Sequence, residues 1–423
     1  MSPRRGMGRG RIAALVAGLL VLLTLVLAID LSPALPPAAA PTATQVREGR
    51  DALRRLRTAM RAPSPSATVD FSADDLTGIA ALIGDVAGLR RVGAGIAGGR
   101  ARMAASLDLP LGLWLNLSVA TVPASPPGFP PLDVAVGDLG IPRWLTRAGI
   151  GAVRGVLVLR GGRLPPLDRI VLGTAVGERT VAFRLGTPLN ATGVVRQFVG
   201  LGSAPVDGAR VASLYCAMVK PQPGKPDLTL ASAVRRGVAA APPDAEPAAE
   251  NRALLVALAV LTVGDRATDL AEGAREQLQR CRRAPPGLTL AGRADLAKHW
   301  SLSAALGATV GNDVTGAMGK WKELSDSLPG GSGFSFVDLA ADRAGLRIGR
   351  AAGRPAQAEA IRKALAGASD AALLPLAVTG LREGMTNDEF VAAYGSLDTR
   401  DFDGAVRRID ALLDRDPVLR AAR

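Results

Sequence analysis

The chain has 423 residues, and 48% of them are hydrophobic, which is ample for packed cores and excludes a disordered polymer. Aromatic residues reach only 3%, so the cores are aliphatic and base-stacking recognition of nucleic acid is not expected. The formal charge of +13 is the excess of 51 Lys and Arg, scattered along the chain, over 38 Asp and Glu. Arginine with abundant Ala, Gly and Pro is what a GC-rich genome produces; attraction to acidic lipid headgroups or glycans is the functional alternative.

Residues 1–11 carry Arg4, Arg5, Arg9 and Arg11 and no acid, and Ile12 to Ile29 then runs without a charge to Asp30. A run of that length can cross a bilayer, and basic residues on one side only keep the N-terminus in the cytoplasm. The expectation is a transmembrane signal anchor at 12–29, in a single-pass bacterial inner-membrane protein whose C-terminal bulk is periplasmic. A cleaved signal peptide is the rival. Its apolar region is usually only about 7–15 residues long, and Pro41 follows Ala38, Ala39 and Ala40, where a peptidase would cut.

Residues 30–66 read as a Pro/Ala spacer followed by a stalk helix, from Gln45 to Ala62, with Leu53, Leu56 and Met60 on one stripe. An α+β domain with an antiparallel sheet is expected at 67–186. Ser72 and Asp75 have capping-box spacing before an apolar helix. Gly93 to Gly99 is a glycine-rich break, and Leu111 to Ala120 alternates strictly, as a half-buried strand does. Leu132, Val134 and Val136 predict another strand, Pro142 opens a helix, and Gly177-Glu178 joins two strands in a hairpin. From 187 to 423 the pattern is helical, and the apolar runs Ala253–Val263 and Trp300–Val310 are short enough to be buried core helices. Cys216 and Cys281 are the two cysteines; an oxidising compartment permits a disulfide, and spacing alone does not decide it.

The stretch from Asp295 to Gly345 holds the candidate chemistry. Residues three or four apart share a helix face, so Asp295 pairs with His299, Glu323 with Asp326, and Asp338 with Asp342. His299 is the sole histidine. An imidazole among carboxylates from facing helices suits a divalent metal, with His299, Glu323, Asp338 and Asp342 as ligands and Asp295 orienting the ring. Without a metal, His299, Glu323 and Asp326 are the acid–base candidates for catalysis. The structural alternative is a polar network that fixes helix packing, with Asp342 paired to Arg343 or Arg347 and Glu323 to Lys320. Gly330 to Gly333 lacks the Lys-Ser/Thr of a phosphate loop, and Ser332 and Ser335 lie in no nucleophile elbow.

Three ordered blocks carry a resemblance. They are Asp295, Lys298, His299 and Trp300; Lys322 to Leu324 with Asp326 and Ser327; and Gly331 to Phe336 with Asp338, Asp342 and Gly345. Together they resemble small bacterial envelope lipoproteins of the YfiM type, a family without an assigned activity. The resemblance implies an envelope location and membership of His299, Glu323, Asp326, Asp338 and Asp342 in one motif. The chain departs from that family in lacking a lipoprotein cysteine and in carrying a large N-terminal domain. That domain is similar in pattern to membrane-anchored lipid- or polymer-cradling domains. The functional expectation is a non-catalytic envelope protein that binds lipid, glycan or a partner protein. The rival is a metal-dependent hydrolase acting on an envelope lipid or glycan.

Overall fold

The computed structural model describes residues 24, 26–37, 40–60, 62–122, 127–159, 165–186, 206–220, 229–271, 273–281, 287–309 and 312–422. The fold is α+β and the chain divides into two compact units, Met1–Ala39 with Glu48–Leu189 and Ala40–Arg47 with Asn190–Arg423.

The expected membrane anchor does not stand. Among the described residues no helix is long and apolar enough to cross a membrane. This overturns the transmembrane signal anchor and the single-pass inner-membrane placement with a periplasmic bulk. Of that run, 12–23 and 25 lie outside the described residues. Its C-terminal end is joined to protein: the Leu27 carbonyl accepts from the Asp138 N–H at 2.8 Å, and Asp30 and Trp114 exchange both backbone hydrogen bonds at 2.8 Å. Backbone groups there are satisfied by a β-bridge.

The spacer is likewise bound rather than free. The Ala34 N–H donates to Ser106 Oγ and Asn116 Oδ1, and the Leu35 carbonyl accepts from Arg91. The expected stalk is helix α1 (Ala43–Met60), but its stripe differs. Ala52 is buried and Leu53 is 45% exposed, and Gly49 packs on Gly78 and Leu82.

The first unit contains strands β1 (Ser66–Ser72), β2 (Val92–Ala97), β3 (Arg100–Asp108), β4 (Trp114–Thr121), β5 (Leu132–Val136), β6 (Leu139–Ile141), β7 (Val171–Val176) and β8 (Thr180–Gly186), with helices α2 (Ala73–Ala87) and α3 (Arg143–Leu159). A three-stranded sheet runs β1-β8-β7 and a five-stranded one β2-β3-β4-β5-β6, every pair antiparallel. The glycine-rich break is therefore a hairpin: Gly98 and Gly99 both have positive φ, the geometry that a two-residue turn between twisted strands requires. Leu111 is not in the predicted strand; it sits at φ 68° in a tight turn, 96% exposed.

Ser72 and Asp75 form the capping box, each side chain taking the other's backbone N–H. Burial pushes the Asp75 carboxyl up, but the Ser72 backbone and the Arg55 guanidinium outweigh it and hold it below the usual carboxylate value. A depressed folded-state pKa stabilises above the unfolded pKa and is lost as pH falls through the folded value. Asp75→Asn is thus expected to cost about 1–2 kcal/mol at pH 7. The gap from wild type should close below about pH 3. Equal stability of the two proteins at pH 7 in urea unfolding would refute this.

The second unit is helical: α4 (Gly208–Val219), α5 (Leu230–Ala239), α6 (Pro247–Val263), α7 (Ala294–Thr309), α8 (Asn312–Asp326), α9 (Phe336–Gly353), α10 (Pro355–Ala366), α11 (Asn387–Tyr394) and α12 (Arg400–Leu413), with shorter turns between. Every residue of α6 from Ala253 to Leu261 is buried, so this all-apolar helix is the hub of the core. Its Asn251 amide is satisfied by the Ala352 and Ala358 carbonyls. Helices α7 and α9 approach closely because Gly345 and Gly349 face the Trp300 and Ala304 carbonyls, where a Cβ would collide. Arg343 and Arg347 pair with Asp410 on α12 and with Asp414 at its C-cap, not with Asp342 as expected. Cys216 and Cys281 form a disulfide with a Cα separation of 5.2 Å. Closing a loop over a sequence separation of 65 residues restricts the unfolded chain by about 4 kcal/mol in the entropic account.

Candidate functional site

Three helices bring the motif residues together. His299 is on α7, Glu323 on α8, and Asp338 and Asp342 on α9; all four are buried. Ser335 caps α9 by accepting the Asp338 N–H, which sets the rotation that aims Asp338 and Asp342 at the imidazole. Gly319 on α8 leaves room for Asp342: a Cβ there would stand 2.9 Å from Oδ2.

Both ring nitrogens of His299 meet carboxylates, Nδ1 at 3.1 Å from Asp342 Oδ1 and Nε2 at 3.4 Å from Asp338 Oδ2. Ser303 Oγ donates to the same Asp342 oxygen at 2.7 Å. Glu323 is fully buried; it accepts from Lys322 Nζ at 2.9 Å and from the Ser335 N–H at 3.0 Å. Lys322 also donates to Asp326 at 2.9 Å, so Asp326 adjoins the node through Lys322. Lys322, not Lys320, is the partner of Glu323.

Burial opposes charging His299, but the hydrogen bond and charge of Asp342, with Asp338 behind it, raise its pKa above the usual value. Burial pushes the Glu323 carboxyl up to about 7 against the pull of Lys322. Burial likewise raises Asp338 against His299 and Lys322. Burial and neighbouring charge thus oppose each other at each of these three groups, in a cluster closed between three helices.

Asp295 does not orient the imidazole. Its carboxylate is bonded to Arg293 at 2.6 and 3.2 Å, and that bond holds it below the usual carboxylate value. Charge-assisted bidentate pairing outcompetes a bond to a ring nitrogen. The glycine-rich loop is a tight interhelical turn: the Gly331 and Gly333 N–H groups donate to Leu328 and Asp326 carbonyls, so these donors are not available to a phosphate. The Ser335 hydroxyl caps α9 instead of facing His299 as a nucleophile. Sequence reading passed over Ser303, one turn beyond His299, and Gly319; the first had a signal in its i, i+4 spacing.

A cleft of about 400 Å³ opens beside the start of α9. Its floor is Phe336, Tyr394 and Ile409, the two rings meeting edge-on at 5.1 Å, and its rim carries Arg382, Arg408 and Asp401. Gly404 and Ala405 on α12 leave the space open. Arg382 reaches Glu389 at 3.4 Å, while Arg408 makes no ion pair among the described residues.

Comparison with protein-family models, with characterised proteins and with solved structures finds no match.

Proposed function

We propose that the protein is a non-catalytic binding protein whose helical unit takes a small acidic saccharide in the cleft beside α9. The observation that carries this reading is the half-buried Tyr394 ring, backed by buried Phe336, under a rim of two guanidiniums and one carboxylate. Aromatic faces suit the C–H surface of a sugar ring, arginine pairs with a uronic carboxylate, and Asp401 accepts from hydroxyls. The volume suits about two sugar rings and is too small for a protein partner. Polar groups along the rim disfavour an acyl chain.

The buried node serves this cleft. Phe336 opens the helix that also carries Asp338 and Asp342, so locking α9 by its carboxylates fixes the cleft floor. A fully buried Glu323 is out of reach of a substrate, which supports binding over hydrolysis.

Titration calorimetry with digalacturonate, with maltose as the uncharged control, tests the reading. Saturable binding of digalacturonate alone is expected, weakened at least tenfold in Arg408→Ala and Tyr394→Ala, with the disaccharide recovered uncleaved. Failure to bind at millimolar concentration, or cleavage of the probe, would sink it.

A further inference from the structure

The node also has the makings of a cation site, independent of the cleft. One donor atom each from His299, Glu323 and Asp342 lie within 4.8 Å of one another, and all three residues are buried. The node also carries a carboxylate oxygen that no hydrogen bond satisfies. Asp338 is 8% exposed and its Oδ2 reaches the imidazole, yet its Oδ1 is buried with no hydrogen-bond partner. The nearest cationic group to that oxygen, Arg293 Nη2, is 3.7 Å away and is already bonded to Asp295. Buried carboxylate oxygens are rarely left unpaired.

We propose that this node binds a divalent transition cation through His299, Glu323 and Asp342, with Asp338 holding the far nitrogen of the ring. Charge supports it: Glu323, Asp326, Asp338 and Asp342 are set against Lys322 and an imidazole, so the cluster has room for positive charge. One imidazole with carboxylates selects zinc, manganese or ferrous iron over calcium and magnesium, which take oxygen donors. Tetrahedral donors about 2.1 Å from a metal stand roughly 3.4 Å apart, so the trio closes by about an ångström on loading. Side-chain rotation suffices for that. With the cation taken at Nδ1 beside Asp342, Asp338 stays at Nε2 and holds the imidazole in place. When Glu323 turns to the cation, Lys322 retains Asp326.

The test uses the full chain stripped with a chelator and titrated with Mn²⁺ and with Zn²⁺, followed by calorimetry and by the melting temperature of the helical unit. One equivalent is expected to bind and to raise that melting temperature by several degrees. Asp338→Asn keeps the shape of the node while removing a charge, and should weaken binding at least tenfold. His299→Gln should abolish it. If either variant does not fold, the other decides. Absence of saturable binding in the wild type overturns the proposal, and so does binding that is unchanged in both folded variants, which would place the ion elsewhere. Because the saccharide titration reads a different set of residues, either result stands without the other.

Discussion

Gly349→Val is expected to cost the helical unit about 3 kcal/mol or more, and Gly345→Val a similar amount. The obstacle at each position is backbone: the Trp300 carbonyl faces Gly345 and the Ala304 carbonyl faces Gly349. A flexible side chain would swing aside, but a carbonyl within a helix moves only with the helix. Helix propensity works the other way, since replacing glycine by alanine within a helix gains about 1 kcal/mol. The steric term is the larger, because separating α7 from α9 also opens the contacts around fully buried Trp300, whose indole N–H donates to the Leu373 carbonyl at 2.9 Å. Gly353 supplies an internal scale. A Cβ there would stand 3.2 Å from the Ala308 carbonyl, so Gly353→Ala should be mild. Urea unfolding of the three variants should rank Gly345 and Gly349 well above Gly353. Equal, small effects at all three would mean that the helices do not pack through these glycines.

That packing was only partly legible in the sequence. The capping box at Ser72 and Asp75, the hairpin around Gly177 and the long helices of the second unit follow from local chemistry, and each lies where spacing put it. Strands β2 and β3 were hidden because Val92–Ala97 alternates glycine and alanine with few large side chains, leaving no hydrophobic period to read. The Gly98-Gly99 turn was the available signal. The apolar N-terminal run suggested a bilayer by length and charge alone, since neither reveals that Asp30 pairs with Trp114. In the node, i, i+4 spacing did place pairs on shared faces, but it could not rank partners. Asp295 went to Arg293, two residues before it, and Arg347 went to Asp410, 63 residues away. Which helix faces which is a tertiary fact, and polar side chains choose among partners by charge and reach.

The His299→Ala protein is expected to lose about 3–5 kcal/mol, the other large effect in the molecule. The cost does not come from the imidazole's own contacts so much as from what its removal leaves behind. Asp342 keeps Ser303 as a donor, but Asp338 keeps only the more distant charges of Lys322 and Arg293, and both carboxylates remain buried. An uncompensated buried charge is costlier than the pair it came from is stabilising. The consequence is non-additivity. Asp338→Asn introduced into His299→Ala removes a stranded charge, so the double variant should be about 1–2 kcal/mol more stable than the sum of the single losses predicts. Urea unfolding of the four proteins in the presence of chelator, arranged as a double-mutant cycle, measures this directly. Strict additivity would show that His299 and Asp338 do not interact, and the node would then have to be understood as separate polar contacts that happen to be neighbours. A coupling of the expected sign would mean that α7 and α9 are held in register by one shared set of charges, the condition under which Phe336 stays fixed at the cleft floor.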